Sequence, residues 1–380
     1  MKPAWNINDL RTEAKRRLPR AIFEFLERGS ENEYLAGHNK HALERIRMVP
    51  RTLRDVTGRD ASIELFGRKL PMPLIVGPTG TADLLCHGGE SCIAAAAAEA
   101  GVPFTLATSS TTSMDRIAEI TQATGFWMQM YLWERRDLSW QVVERAAALG
   151  AEALILTVDT PVWPNREFNK HNGMANPIRP NPTLALDFAL HPFWLMRVMG
   201  RYMLTHGGLP KFANYPKEIG GSVTGPVNRV TNSASVNWDD VKELRKRWPN
   251  RLILKGILAK EDAVLAADYG VDAVIVSNHG ARNFDPSPAS IEVLPEIVDA
   301  VANRMTVMFD GGIRRGSDVL KAMAIGAHVA LIGRATLYGA AAGGKQGAGR
   351  ALAILKEEIS TSMAMLGVNS VAELDRSCLR

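Results

Sequence analysis

The chain has 380 residues, enough for one large domain or two ordinary ones. At 46% hydrophobic it has a globular composition, it lacks any run of eighteen apolar residues that would span a membrane, and its first twenty residues carry no apolar signal segment. A net charge of +5 is small for this length, and the basic clusters at 15–17 and 245–247 read as solvated helix faces, so no nucleic-acid partner is expected.

In chain order, residues 1–60 read as helices that form an N-terminal cap, and SIELFGRKL (62–70) as a hairpin. From there, short apolar runs alternate with amphipathic stretches of helical length. The runs are 73–77, 104–107, 126–130, 153–158, 252–255, 273–277, 306–310 and 329–333. Several of the stretches between them close on the glycine that follows many helices. Eight such βα units predict an α/β fold, the (β/α)8 TIM barrel, with the hairpin across its floor. A doubly wound open sheet is the structural alternative, but it usually carries GxGxxG after its first strand, and that motif is absent. Roughly 90 residues separate the fourth run from the fifth, about twice what a βα unit needs. The reading is one domain: cap and hairpin over 1–70, barrel over 71–340, a lid or docking insert over 160–250, and C-terminal helices over 341–380.

Barrel active sites lie at the C-terminal ends of the strands. The residues there are Pro78-Thr79-Gly80, Thr108-Ser109, Gln129 with Tyr131, Thr157 with Asp159, Lys255, Ser277-Asn278-His279, Asp310-Gly311-Gly312 and Gly333-Arg334. Every end offers a polar group or a glycine. The last two loops, FDGGIRRG (309–316) and IGRATLYG (332–339), have the position and glycine content of a phosphate site. Arg314 and Arg334 can fork onto phosphate oxygens.

An acid–base set accompanies them. A proton next to a carboxylate needs a base that works near neutrality, which fits His279. Arg282, three residues on, and Arg166 supply two planar clamps for a carboxylate. Asp159 can pair with the imidazolium that forms when His279 takes the proton.

With SNHGARNFD (277–285), LPRAIFEFLERGSENEY near the N-terminus and GRATLYG (333–339), the chain resembles the FMN-dependent 2-hydroxy acid dehydrogenase and oxidase family over almost its whole length. The resemblance implies FMN as cofactor and a small (S)-2-hydroxy acid as substrate. It also implies a quinone or oxygen as electron acceptor, and a homotetramer. It makes His279 the base, Asp159 its partner, Arg282 and Arg166 the carboxylate ligands and Tyr131 a substrate contact. Lys255 would stabilise the reduced flavin. Pro78, Thr79, Gly80, Gln129, Thr157, Ser277, Asp310, Gly311, Gly312, Arg314, Gly333 and Arg334 would hold the cofactor.

Three positions depart from the family pattern. Phe25 stands where a tyrosine usually meets the carboxylate, Ala107 replaces a serine whose flavin contact Thr108 would take over, and KHNGM (170–174) lacks an arginine. GPTG (77–80), with Gly80 where oxidases often carry alanine, resembles the mandelate and lactate dehydrogenases. A smaller residue beside the flavin leaves room for a bulky acid, so an aromatic substrate such as mandelate is expected, with lactate or another aliphatic acid as the alternative. A different FMN barrel enzyme and a non-catalytic flavin-binding relative are the rival readings. The stretch over 175–215 interleaves Phe, Trp, Leu and Met with His and Arg, as a peripheral membrane contact would. Cys86, Cys92 and Cys378 show no CxxC pair or zinc spacing, so a cytoplasmic protein with reduced thiols and no metal is expected.

Overall fold

The computed structural model describes residues 3–175, 178, 181–219, 221 and 233–380. Strands β1 (Ile63–Leu65) and β2 (Arg68–Leu70) pair antiparallel as the hairpin, Ile63 opposite Leu70. The eight runs form β3 (Leu74–Thr79), β4 (Phe104–Ala107), β5 (Phe126–Met130), β6 (Ala153–Thr157), β7 (Arg251–Ile257), β8 (Ala273–Val276), β9 (Thr306–Phe309) and β10 (Val329–Ile332). They close into a parallel barrel in sequence order, β10 pairing with β3. The fold is the (β/α)8 barrel.

Strand alternation splits the core into two layers. Ile75, Ile155, Ile253, Ile275, Met308 and Leu331 point into the barrel, where Leu65 and Leu70 of the hairpin plug the floor. Their chain neighbours, such as Leu74, Leu154, Leu254 and Val274, face the surrounding helices. Full burial of each such side chain contributes about 1.5–3 kcal/mol.

Of the cap helices Ile7–Arg17, Arg20–Glu27 and Tyr34–Arg45, the first is capped locally by Asn6 and the other two by distant carboxylates. Pro19 and Glu33 offer no side-chain cap to the second and third. Asp187 of the insert instead accepts from the Arg20 and Ala21 amides at 2.9 and 2.8 Å. Asp285, after β8, accepts from those of Tyr34 and Leu35 at 3.1 and 2.9 Å. Each carboxylate meets the free N–H groups and positive dipole end of a helix. The second helix is thereby set over the C-terminal mouth of the barrel.

Two expected boundaries move. Trp238–Arg247 is the ordinary helix of the fourth βα unit, started by an Asn237 capping box and ending in Arg245, Lys246 and Arg247, so the insert stops before it. The last helix begins at Arg334 and runs to Leu366, kinked at Gly343 and Gly344, so the stretch from 341 continues a barrel helix. Within the insert, Pro182–Ala189, Pro192–Trp194, the π-helical turn Leu195–Gly200 and Arg201–His206 lie across the first βα loop, where Trp194 Nε1 donates to the Leu84 carbonyl at 2.9 Å.

Candidate active site

The strand ends converge on a cavity of about 460 Å³. Into it open Pro78, Thr79, Gly80, Gln129, Tyr131, Thr157, Arg166, Lys255, His279, Arg282, Asp310, Gly311, Gly312, Arg314, Gly333 and Arg334, together with Phe25 and Ala107. The structure thus gathers nearly all the predicted site residues, drawn from the ends of many strands, around one space.

On the acid–base side, His279 Nδ1 lies 2.8 Å from Asp159 Oδ1. Asp159 sits behind the histidine and does not itself line the cavity. Its carboxylate fixes the tautomer with hydrogen on Nδ1 and leaves the Nε2 lone pair for a substrate proton. Burial holds His279 below its ordinary 6.5 although Asp159 pulls the other way; Lys255 and Arg166 add to the depression. For Asp159, burial opposes ionisation, but His279 and Lys255 outweigh it and hold the carboxyl down at about 2. The pair therefore rests as carboxylate and neutral imidazole. Gly256 makes this approach possible: it takes φ +104° in a bulge of β7, and a Cβ there would come within 2.5 Å of Asp159 Cβ. His279 itself has φ +57°, a left-handed conformation that costs a non-glycine residue about 1 kcal/mol or more. Buried Asn278 locks this turn through a reciprocal amide pair with Asn39 of the cap at 2.7 and 3.0 Å.

In the same cavity, Arg282 Nη1 donates to the carbonyls of Phe25 and Arg28 at 2.8 and 3.0 Å, and its guanidinium stands 5.4 Å over the Phe25 ring. Arg166 Nε donates to the Arg282 carbonyl at 2.9 Å. Burial and mutual repulsion with Arg166 and Arg334 push the Arg282 pKa well down. Only an anion relieves such a cluster. Burial also raises the Tyr131 phenol, with Asp159 adding to the effect, so Tyr131 is a neutral hydrogen-bonding group.

Lys255 is buried, and its cost is offset inside the protein. Nζ donates to Ser277 Oγ at 2.7 Å and lies 3.2 Å from Asp310 Oδ2. Two predicted cofactor contacts lie elsewhere. Ser277 stands behind Lys255 and also accepts the His279 N–H at 3.1 Å. Thr108 turns away from the cavity because its hydroxyl donates to the Gln129 carbonyl at 2.6 Å; Ser109 faces the cavity in its place. Ser109 also corrects the reading of Gly80. A Cβ on Gly80 would fall 2.3 Å from Ser109 Oγ, so the space left by the glycine holds that hydroxyl rather than substrate.

Residues the sequence did not single out complete the site. Leu84, Leu85, Trp163, Met174, Phe212 and Tyr215 form an apolar outer wall. Asn283, inside the His279 motif, donates from Nδ2 to Asp159 Oδ1 at 3.1 Å and to Thr160 Oγ1 at 2.7 Å. Its place in SNHGARNFD was the available signal.

The part of the cavity lined by the loops after β9 and β10 fits FMN. Arg334 Nη2 and Asp310 Oδ1 are buried polar atoms with no hydrogen-bond partner, beside Gly311, Gly312 and Gly333. A phosphate answers the guanidinium, and a ribityl hydroxyl donor answers the carboxylate. Bound FMN supplies a two-electron acceptor that none of the side chains can provide.

The comparisons with known proteins agree with this geometry. The profile of the family described as FMN-dependent dehydrogenase matches residues 14–380. The chain is 36% identical over 379 residues to the (S)-mandelate dehydrogenase of Pseudomonas putida, covering 99% of this chain and 94% of that one. It is 37% identical over 375 residues to an L-lactate dehydrogenase of Caulobacter vibrioides, covering 98% and 96%. The crystal structure of the monotopic membrane protein (S)-mandelate dehydrogenase superposes with a TM-score of 0.93 at 35% identity, covering 100% of both chains. This chain belongs to the FMN-dependent dehydrogenase family.

Proposed function

We propose that the protein oxidises an aromatic or similarly bulky (S)-2-hydroxy acid, mandelate being the type, to the 2-oxo acid and passes the electrons to a membrane quinone. The observation that carries the reaction is that the neutral His279, backed by Asp159, and the anion-seeking Arg166–Arg282 pair line one cavity. A carboxylate clamped by the two guanidiniums brings the adjacent hydroxyl-bearing carbon toward His279. Nε2 then takes one substrate proton, from the hydroxyl or from the carbon, and Asp159 stabilises the imidazolium. Tyr131 hydrogen-bonds the substrate oxygen, and Lys255 supplies a fixed cation beside the cofactor. Gly80, Gln129, Thr157 and the loops after β9 and β10 hold FMN.

The aromatic preference is supported by the apolar wall of Leu84, Leu85, Trp163, Phe212 and Tyr215, together with Phe25. These groups suit a phenyl ring and leave a methyl group poorly covered. The lactate dehydrogenase relative, at similar identity, favours a second reading in which the substrate is aliphatic. Anaerobic mixing of the yellow holoprotein with mandelate, lactate, glycolate and a long-chain 2-hydroxy acid decides between them. Mandelate should bleach the flavin fastest. Faster bleaching by lactate or glycolate removes the aromatic assignment, and no bleaching by any acid removes the activity.

The membrane acceptor rests on the insert. Leu184, Trp194, Val198 and Tyr202 are buried against the body, whereas Leu186, Leu190, Phe193, Met196, Met203 and Leu204 stand exposed, Leu204 at 90%. No helix among the described residues is long and apolar enough to cross a membrane. An apolar face of this kind sits in the lipid interface without spanning it.

A further inference from the structure

The acid–base pair and the carboxylate clamp meet at one side chain that neither contains. Asn283 Nδ2 shares its two hydrogens among Asp159 Oδ1 at 3.1 Å, the Asp159 carbonyl at 2.9 Å and Thr160 Oγ1 at 2.7 Å. Thr160 Oγ1 in turn donates to the same Asp159 Oδ1 at 3.0 Å and is hydrogen-bonded to Tyr131. On its other atom, Asn283 Oδ1 accepts from Arg166 Nη2 at 3.3 Å. One planar amide thus touches the partner of the base, the link to the substrate-facing phenol, and a guanidinium of the clamp.

We propose that Asn283 is a positioning residue that couples the proton affinity of His279 to the placement of the Arg166 clamp. This rests on the roles proposed above for His279 and Arg166. The physics is a competition for one oxygen. His279 Nδ1 and Asn283 Nδ2 both donate to Asp159 Oδ1. Each hydrogen bond from Asn283 spreads the carboxylate charge and weakens its hold on the imidazolium. The charged groups that face His279 are Asp159, which favours its protonation, and Lys255 and Arg166, which oppose it. Removing the amide leaves Asp159 and Lys255 in place and returns the full charge of Asp159 to His279, so the imidazole protonates at higher pH. The same removal frees Arg166 Nη2 from its acceptor and lets the clamp drift.

The test compares wild-type, Asn283→Ala and Asn283→Gln holoenzymes, each loaded with FMN and checked by absorbance for equal flavin content. For Asn283→Ala, the acidic limb of kcat/KM should move to higher pH and KM for the acid should rise roughly tenfold, the scale of one lost charge-assisted hydrogen bond. Asn283→Gln, which keeps the amide, should recover most of both. NMR titration of His279 and binding of the 2-oxo acid read the same two changes without turnover. A substrate screen that fails on the wild type therefore overturns the activity and leaves the coupling to be judged by these two measurements. Movement of one reading without the other, or of neither, overturns the coupling. Should Asn283→Ala not retain FMN, Asn283→Ser carries the same comparison.

Discussion

His279 shows how burial sets the working state of a single residue. Its ordinary pKa of 6.5 is lowered in the folded protein, so at pH 7 it is the neutral acceptor that proton abstraction needs. As pH falls through that lowered value the ring takes a proton and the acceptor is lost. The acidic limb of kcat/KM should therefore lie below pH 6.5, and His279→Gln should lose about 10²–10⁴ of turnover while keeping its yellow colour. A limb above 6.5, measured with saturating FMN, contradicts the neutral resting state. At this scale the sequence was a good guide to residue type and a poor one to direction. The motif around His279 and the arginines were legible because few side chains perform that chemistry at a strand end. Thr108 and Gly80 were misread for a shared reason: the two-residue alternation of the strand carries on past Ala107, so that Ala107 and Ser109 face the cavity and Thr108 is buried behind it. No spacing rule reports that Asn39, some 240 residues away in sequence, would pair with Asn278.

Among elements, the strands were the most legible because a parallel barrel strand is a short, continuous apolar run whose length and spacing repeat. The insert repeats nothing. Its helical character was hidden by prolines at 182 and 192 that start helices rather than break them, and by a π-helical turn over Leu195–Gly200. The apolar content was visible in the sequence, but its division into a buried and an exposed side was not. That division makes a specific forecast. Phe193 is 70% and Leu204 90% exposed, so Ser at both removes apolar surface without opening the core. Each forfeits about 1.5 kcal/mol of lipid contact at the low end, and Phe193→Ser/Leu204→Ser should weaken partitioning to anionic vesicles roughly a hundredfold. Reduction of a soluble dye should be unaffected. If the double variant floats with vesicles as the parent does, the face is not the membrane contact.

Over the whole molecule, the N-terminal cap, the barrel and the insert are tied together at the site rather than at a distance from it. Asp285 and Asp187 cap the two helices that carry Asn39 and Phe25, so the part of the chain made first is seated by parts made later. What this assembly encloses is a surplus of positive charge: Arg166, Arg282 and Arg334 are each pushed below their ordinary pKa by burial, and each also feels a neighbouring guanidinium. Such an arrangement stores repulsion that a bound anion relieves, so the fold should depend on its ligands. Removing FMN should lower the melting temperature. Returning it at a hundredfold excess over Kd should restore about 2.7 kcal/mol, a rise of several degrees. Inorganic phosphate should recover part of that rise by answering Arg334 Nη2, a buried donor without a partner among the described residues. Sodium chloride at matched ionic strength is the control, since it screens all charges alike. If chloride raises the melting point as far as phosphate does, the cations respond to general screening and the loops after β9 and β10 lose their assignment as the phosphate site. A phosphate effect that disappears in Arg334→Leu, with chloride inert, places the anion at that guanidinium.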